Sequence, residues 1–248
     1  MTDLTRRDIA YRHGAADMRG LLVAPADAAD LPAVVLIHDA FGLGDDMIAI
    51  AEELAARGLA VFAADVWGDR TTPTEQQQIG PLIGSMAGDR REWQTRIVAA
   101  HRTATQQPEI DGERIALLGY CFGGSSALEF LRTGGEVRGV IAIHPGLDLL
   151  EHDWSAAAAS GTQVHVAVGS RDPMATREQL LRLEDDLTAV GADWEIDVYS
   201  DTTHAFTSLR SRNSPRPDLF DHHPRNAARA WQATTRALDE MFPQTIGA

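Results

Sequence analysis

Short apolar runs recur along the chain, separated by longer stretches in which apolar residues repeat at helical spacing. The runs cover residues 33–37, 59–63, 115–118 and 137–143, and two further candidates cover 163–168 and 194–199. Each run is too short for a buried helix and is bounded by Gly, Pro, Asp or Arg, which favours a strand. Strands that are apolar at nearly every position are typical of a parallel sheet with both faces covered.

The intervening stretches predict helices over 45–57, 92–105, 125–132, 176–190 and about 221–241. Strand–helix alternation over the whole length indicates βαβ crossovers and a mostly parallel, doubly wound sheet flanked by helices. Segments 5–12 and 17–23 predict an antiparallel hairpin at the edge of that sheet, and the alanine run 156–159 predicts a short helix. No linker or internal repeat interrupts the pattern, so residues 1–248 are expected to form a single α/β domain.

Charge and cysteine content narrow the class of protein. The 248 residues include 22 Lys and Arg against 36 Asp and Glu, a formal charge of −14, which argues against nucleic acid or an anionic membrane as a partner. The one cysteine cannot form an internal disulfide, the first residues lack the apolar core of a signal peptide, and no apolar run approaches about 18 residues. We therefore expect a cytoplasmic protein, either a monomer or a homodimer.

The cysteine stands between a predicted strand and a predicted helix, in the sequence G-Y-C-F-G-G over 119–124. This fits the pattern Gly-x-nucleophile-x-Gly, in which the nucleophile occupies a strained turn and the positions two residues away need minimal side chains. The N-terminus of the following helix favours a thiolate at Cys121. The alternative is a structural cysteine buried in a tight turn.

Two polar residues follow later strands. Asp172 comes after the strand predicted over 163–168, and His204 comes after the strand predicted over 194–199. Such sheets place active sites at the carboxyl ends of their strands, and hydrolases of this architecture supply nucleophile, acid and histidine in that order. We therefore expect a triad in which His204 keeps the Cys121 thiolate deprotonated and Asp172 orients the imidazole. Taken singly, Asp172 could instead cap a helix, and His204 could be a loop histidine bonded to solvent.

A triad of this kind also needs backbone donors for the charge that develops on the carbonyl oxygen. The N–H of Phe122, directly after the nucleophile, is the first candidate. The second donor is expected from the loop over 38–42, which follows the strand over 33–37.

Together these pieces resemble the dienelactone hydrolase family, the carboxymethylenebutenolidase-like proteins. The resemblance runs through V-V-L-I-H-D-A-F-G-L over 34–43, A-D-V-W-G over 64–68, the G-Y-C-F-G-G segment, and H-A-F over 204–206. It implies an α/β-hydrolase fold, no cofactor, and hydrolysis of an ester or lactone through an acyl-thioester. It also implies that Asp39, at the position of a family glutamate, partners Cys121 in the resting state, and that the Ala40 N–H is the second oxyanion donor.

One position departs from the family pattern. The dienelactone-cleaving members bind the substrate carboxylate with arginines, one of them four residues after the catalytic histidine, and that position here is Ser208. Arg210, Arg70, Arg90 and Arg91 are candidates for a replacement. Because the planar fork of arginine suits carboxylates, its absence at Ser208 predicts a different small-molecule ester or lactone as substrate.

Several features have more than one interpretation. The sequence D-H-H over 221–223 lacks a second ligand pair at zinc-like spacing, so we expect no metal. We assign the segment to the cap of the last helix, with Asp221 or Pro224 near its start. Trp67 and Trp93 could line a pocket, with the core as the default, and the loop over 213–217 could cover the site or merely connect elements. Two other classes of function stay open: a non-catalytic binding protein on a hydrolase scaffold, and a thiol redox sensor at Cys121.

Overall fold

A computed structural model describes residues 3–243 of the chain. These residues form two compact units, one made of residues 3–118 with 242–243 and the other of residues 119–241. The expectation of a single domain over 1–248 stays a prediction. None of the helices in the described part of the chain combines the length and apolarity that crossing a bilayer requires.

The first unit begins with an antiparallel hairpin and continues with alternating strands and helices. Its elements are β1 (Leu4–His13), β2 (Ala16–Pro25), β3 (Leu31–Ile37), α1 (Asp45–Ala55), β4 (Ala60–Ala64), α2 (Gln76–Gly88), α3 (Arg90–Ala104) and β5 (Ile110–Tyr120), whose last two residues belong to the second unit. The strands lie in the order β1-β2-β4-β3-β5. Strand β2 runs antiparallel to β1 and β4, whereas β3 and β4 are parallel. The predicted hairpin is therefore confirmed, with β1 at the outer end of the order.

Apolar side chains explain why β3 and β4 lie inside. All five residues of β4 are buried, and so are the last six residues of β3. Strands buried on both faces need apolar residues at every position rather than at alternate ones. The runs read from the sequence over 33–37 and 59–63 therefore coincide with β3 and β4 to within two residues.

Helix α2 was not predicted, and its composition explains the omission. Its 13 residues include Pro81 and three glycines, which have the lowest helix propensities. A capping box compensates at the N-terminus, where the Gln78 side chain accepts hydrogen bonds from the backbone N–H groups of Thr74 (2.9 Å) and Glu75 (3.0 Å). The signal that could have found this helix was the spacing of Glu75 and Gln78.

The second unit alternates helices with parallel strands. Its elements after β5 are α4 (Phe122–Arg132), β6 (Gly139–Ile143), β7 (Gln163–Gly169), α5 (Arg177–Ala189), β8 (Asp193–Tyr199) and α6 (Pro224–Met241). The strands lie in the order β6-β7-β8, and both neighbouring pairs are parallel. The predicted α/β class, with a mostly parallel sheet flanked by helices, is confirmed.

The last helix begins at Pro224, one of the two residues expected near its start, and the His223 ring caps it by accepting a hydrogen bond from the Asn226 N–H at 3.3 Å. One local prediction in this unit needs correction. The alanine run over 156–159 is not a helix, and Ala157 N–H instead closes a turn on the Trp154 carbonyl at 2.9 Å. A run of four alanines is too short to offset the unfavourable nucleation of a helix.

A buried ion pair anchors helix α4. Every residue of α4 is buried, and the Arg132 guanidinium donates two hydrogen bonds to the Glu129 carboxylate, at 2.7 and 2.8 Å. The same two side chains also form hydrogen bonds to the loop around residues 151–153. Glu129 accepts from Glu151 N–H at 3.0 Å, and Arg132 donates to the Asp153 carbonyl at 2.7 Å. This network fixes the helix that begins directly after Cys121.

Candidate active site

Cys121 lies at the sharp turn between β5 and α4. Its backbone has φ 52° and ψ −117°, a conformation that residues with a side chain rarely adopt. A Cβ atom at Gly119 would overlap the backbone of Gly123, which explains why this turn needs glycine two positions before the cysteine. The Cys121 N–H donates to the Ile143 carbonyl at 2.9 Å, so the end of β6 holds the strained turn in place.

Asp172 lies in the loop after β7, as predicted. The residue is nearly inaccessible (4% exposed), and its carboxylate accepts a hydrogen bond through Oδ1 from Met174 N–H at 2.8 Å. The loop packs against the segment that follows β8, where Arg171 N–H donates to the Thr202 carbonyl at 2.9 Å. A Cβ atom at Gly169 would overlap the Thr202 backbone, so this close approach depends on glycine. Sequence reasoning did not single out Gly169 or Thr202.

His204 lies in the loop after β8 and is completely buried. Its backbone N–H donates to the Leu219 carbonyl at 3.0 Å. Its ring joins the other two predicted residues: Nδ1 lies 2.8 Å from Asp172 Oδ2, and Nε2 lies 3.1 Å from Cys121 Sγ. The structure therefore brings Cys121, His204 and Asp172 together in one hydrogen-bonded line.

Charge on the neighbours controls the protonation of His204. Burial by itself lowers the pKa of this imidazole, but the Cys121 thiolate and the Asp172 carboxylate outweigh burial and raise the pKa to about 10. An imidazolium flanked by two anions is stabilised by both of them. A protonated His204 ring beside Cys121 can therefore stabilise a negative charge on the sulfur.

His144 is a component of the site that sequence reasoning missed. It directly follows β6, is 1% exposed, and has its ring centroid 5.2 Å from that of His204, with the ring planes 68° apart. Its Nε2 lies 2.8 Å from Thr207 Oγ1. Burial, with the nearby charge of His204, lowers the pKa of His144 well below its ordinary value. The neutral His144 ring thus packs edge-to-face with the His204 ring. The sequence could have indicated His144 through its position directly after a predicted strand.

The loop over 38–42 belongs to the first unit, and His38 shapes it. The buried His38 ring lies 2.7 Å from the Asp39 carbonyl through Nδ1 and accepts from Val66 N–H at 3.0 Å through Nε2. Because Nε2 accepts, Nδ1 carries the proton and donates to Asp39. Asp39 Oδ1 in turn accepts from Phe41 N–H at 2.8 Å. The predicted roles of Asp39, Ala40 and Phe122 stay predictions. Phe122 is the first residue of α4, at the positive end of the helix dipole.

The arginines considered as ligands for a substrate carboxylate differ in exposure and in their contacts. Ser208 precedes a short 3₁₀ turn (Leu209–Asn213) that carries the exposed Arg210. In the first unit, Arg70 pairs with Asp8 at 2.9 Å, and the Arg90 guanidinium lies 5.6 Å from the centre of the Trp93 ring.

The two tryptophans weighed between pocket and core are both buried. Trp93 has no exposed surface, and Trp67 is 6% exposed and donates to the Ala40 carbonyl at 3.3 Å. These values favour the core for Trp93 and a supporting position behind the loop over 38–42 for Trp67.

A parallel α/β sheet with a nucleophile turn, an acid after β7 and a histidine after β8 defines an α/β-hydrolase. The chain belongs to the dienelactone hydrolase family, whose model matches residues 18–242. It is accordingly an ester or lactone hydrolase at the level of its family.

Individual relatives cover nearly the whole chain. A protein of Aquifex aeolicus (strain VF5) named "Putative carboxymethylenebutenolidase" is 24% identical over 228 residues, 90% of this chain and 94% of that protein. A solved dienelactone hydrolase-like promiscuous phosphotriesterase from metagenomic libraries is 30% identical, with a TM-score of 0.88, and the match covers 96% of this chain and 98% of that one. Dienelactone hydrolase from Anabaena variabilis, 19% identical with a TM-score of 0.62 over 94% of this chain and 96% of that one, shares the fold.

Proposed function

We propose that the protein hydrolyses uncharged carboxylic esters or lactones, with Cys121 as nucleophile, through an acyl-thioester intermediate. The observation that carries this proposal is the line from Cys121 Sγ through the His204 ring to Asp172, with separations of 3.1 and 2.8 Å. Both separations are within hydrogen-bond reach, which is the geometric requirement for a nucleophile and its base.

Each residue has one role in the proposed reaction. The Cys121 thiolate attacks the carbonyl carbon, and the electrons of the C=O double bond move onto oxygen. When the tetrahedral intermediate collapses, the bond to the leaving oxygen breaks and the His204 imidazolium gives its proton to that oxygen. His204 then takes a proton from water, whose oxygen attacks the thioester, and cleavage of the C–S bond releases the acid and restores the thiolate.

Stabilisation of the oxyanion is assigned to backbone donors. Phe122 N–H is proposed as one donor, since it follows the nucleophile at the start of α4, and Ala40 N–H as the other. Asp39 is proposed as the partner that restrains Cys121 before substrate binds. No cofactor or metal takes part in the proposed chemistry.

The substrate class follows from Ser208. A serine four residues after the histidine offers no positive charge to a substrate carboxylate, so neutral esters and lactones fit better than the anionic dienelactone. The strong negative charge of the chain, −14, points in the same direction, because it repels small anions at low ionic strength.

Phosphotriesters are a second candidate substrate class. They are also neutral and carry an ester leaving group, and a relative 30% identical over 96% of this chain is described as a promiscuous phosphotriesterase. A nucleophile and general acid arranged for a tetrahedral intermediate could also serve attack at phosphorus. This activity is proposed as a side reaction of the same Cys121 site.

The proposal is tested by comparing the wild-type protein with Cys121→Ala and Cys121→Ser on p-nitrophenyl acetate and a set of neutral lactones. The Ala variant should fall to the background rate, and the Ser variant should lose most of its activity because the site is built for a thiolate. His152→Gln is the matched control, since His152 is a partly exposed histidine paired with Asp186 at 3.5 Å. Equal rates for wild type and Cys121→Ala would refute the proposal.

Mass spectrometry separates the remaining alternatives. Because the chain has a single cysteine, an acyl adduct trapped on Cys121 identifies the intermediate without ambiguity. A reversible peroxide-induced adduct on Cys121 without any ester turnover would instead support the redox sensor. Neither adduct nor turnover would support a non-catalytic binding protein. The cytoplasmic location and the choice between monomer and homodimer stay predictions.

A further inference from the structure

Three side chains of types that commonly bind metals lie together on β7 and β8, away from Cys121, His204 and Asp172. His165 of β7 is the register partner of Glu195 on β8, and Asp197 lies two residues further along β8. Side chains two positions apart on a strand share one face of the sheet. Helix α6 borders this face, and its residues Arg236 and Glu240 line the same cavity as His165 and Glu195.

Neither ring nitrogen of His165 makes a hydrogen bond. The residue is 3% exposed, and both Nδ1 and Nε2 are buried. Leaving a buried polar group without a hydrogen bond is unfavourable, so such a group calls for a bound ion, a water molecule or another partner. Burial lowers the pKa of His165, which leaves the ring neutral at pH 7 with a lone pair available for coordination.

The three side chains lie close enough to converge on one cation. Their ligand atoms all lie within 4.8 Å of one another, and His165 Nε2 is 3.8 Å from Asp197 Oδ2. Bonds of about 2.0 to 2.2 Å at tetrahedral angles place two zinc ligands roughly 3.4 Å apart, so the proposal requires the ligand atoms to move inward by up to about 1.4 Å when the ion binds. The cavity lined by His165 and Glu195 measures about 120 Å³, which is ample for an ion with a bound water of about 30 Å³.

We propose that His165, Glu195 and Asp197 bind a divalent transition-metal ion of the Zn²⁺ type, with a fourth position open to water. One imidazole and two carboxylates form a donor set that suits Zn²⁺ and Co²⁺ better than Mg²⁺ or Ca²⁺, which prefer oxygen ligands alone. The ion would tie the strand β8 to β7 beneath α6. This site does not depend on the proposed ester chemistry.

Arg236 competes for the same carboxylate. Its guanidinium lies 2.6 Å from Glu195 and 3.3 Å from Glu240. Arg236 binds Glu195 through Oε1, so its positive charge opposes a cation at the same carboxylate. Removing the positive charge at position 236 should therefore strengthen metal binding.

The sequence predicted no metal here, for a reason of spacing. His165 is 30 residues before Glu195, so the three ligands do not form the short, regularly spaced motif by which zinc sites are recognised in a sequence. Only the parallel pairing of β7 with β8 brings them together.

Calorimetric titration with Zn²⁺ tests the proposal, in a Cys121→Ala background so that the thiol and His204 do not contribute a second site. We expect one ion per chain and an upward shift of Tm that EDTA reverses. His165→Gln and Asp197→Asn should each lower the affinity tenfold or more, whereas Arg236→Gln should raise it. His152→Gln, a partly exposed histidine beside an aspartate, should leave the affinity unchanged.

Two results would overturn the inference: no saturable Zn²⁺ binding in the parent protein, or equal affinity in His165→Gln and the parent. If His165→Gln fails to fold, Asp197→Asn decides, because the Asp197 side chain is one-third exposed and tolerates an isosteric change. Unchanged affinity in a folded Asp197→Asn protein would contradict the site, and a tenfold loss would support it.

Discussion

The Nδ1 atom of His204 lies 2.8 Å from the Oδ2 atom of Asp172, and neither side chain has any exposed surface. A hydrogen bond in such surroundings fixes which nitrogen carries the proton and which faces the nucleophile. The loops after β7 and β8 hold this pair, since Arg171 N–H and the Thr202 carbonyl join them at 2.9 Å. The contact between acid and base is thus built into the backbone that carries them.

Asp172→Asn is expected to lower kcat by roughly three to four orders of magnitude while leaving KM largely unchanged. Asparagine keeps the shape, but it removes the charge that stabilises the imidazolium and favours the wrong tautomer of His204. Steady-state kinetics on a neutral ester measures the effect. Asp201→Asn is the matched control, because Asp201 is an exposed aspartate of the neighbouring loop paired with Arg171 at 2.8 Å. A drop of less than tenfold for Asp172→Asn would contradict the role of Asp172.

The pKa of His204 should fall when the thiolate is removed. In the wild type the thiolate and Asp172 raise this pKa to about 10, so the imidazolium persists from neutral pH until the pH approaches that value. Cys121→Ala takes away one of the two anions and leaves burial, which favours the neutral ring, less opposed. NMR titration of the His204 ring follows both proteins. An unchanged pKa in Cys121→Ala would mean that no thiolate–imidazolium pair exists.

Activity should accordingly persist through the weakly alkaline range and decline as the pH approaches about 10. A raised pKa means that the protonated form, which donates to the leaving group, is lost only as the pH rises through that value. A pH–rate profile of kcat/KM between pH 6 and 11 measures the pH at which activity declines on the alkaline side. A decline centred near the ordinary histidine value of about 6.5 would contradict the assigned environment.

Ser208→Arg should extend the substrate range to esters that carry a carboxylate. The guanidinium would offer a two-pronged contact that serine lacks, and a tenfold gain in kcat/KM corresponds to about 1.4 kcal/mol. The variant is compared with the wild type on a neutral ester and its carboxylate-bearing analogue. Ser208→Gln controls for side-chain size without charge. If both variants respond alike, charge at position 208 does not select the substrate.

Glu129→Gln should destabilise the protein by about 3 to 5 kcal/mol, the usual effect of leaving one partner of a buried ion pair uncompensated. Both partners are almost inaccessible, at 1% for Glu129 and 9% for Arg132. Urea unfolding measures the change. Asp218→Asn breaks an ion pair whose partners are 60% and 56% exposed, and we expect it to leave the stability nearly unchanged. Equal effects from the two variants would mean that burial of the Glu129 pair is not what matters.

Much of the fold could be predicted because strands that are buried on both faces need apolar residues at nearly every position. Strands β3, β4, β6 and β7 are covered on both faces, so their sequences are nearly continuous apolar runs. Helix α2 escaped prediction because capping at Glu75 and Gln78 supports it against a composition rich in glycine. The start of α6 stayed open between Asp221 and Pro224 because the cap comes from a histidine, which is not among the usual capping residues.

The sequence by itself determined which residues could perform the chemistry and in what order. A cysteine with glycines two positions to either side, at a strand–helix junction, is typical of a nucleophile turn, and Asp172 and His204 each follow a strand. Only the tertiary structure decided that these three side chains meet, that His144 packs against His204, and that His165 lies beside Glu195 and Asp197. Local sequence patterns reflect only the residues near each position. The contacts named here join residues from 30 to 83 positions apart, and these are set by strand pairing and by contacts between loops.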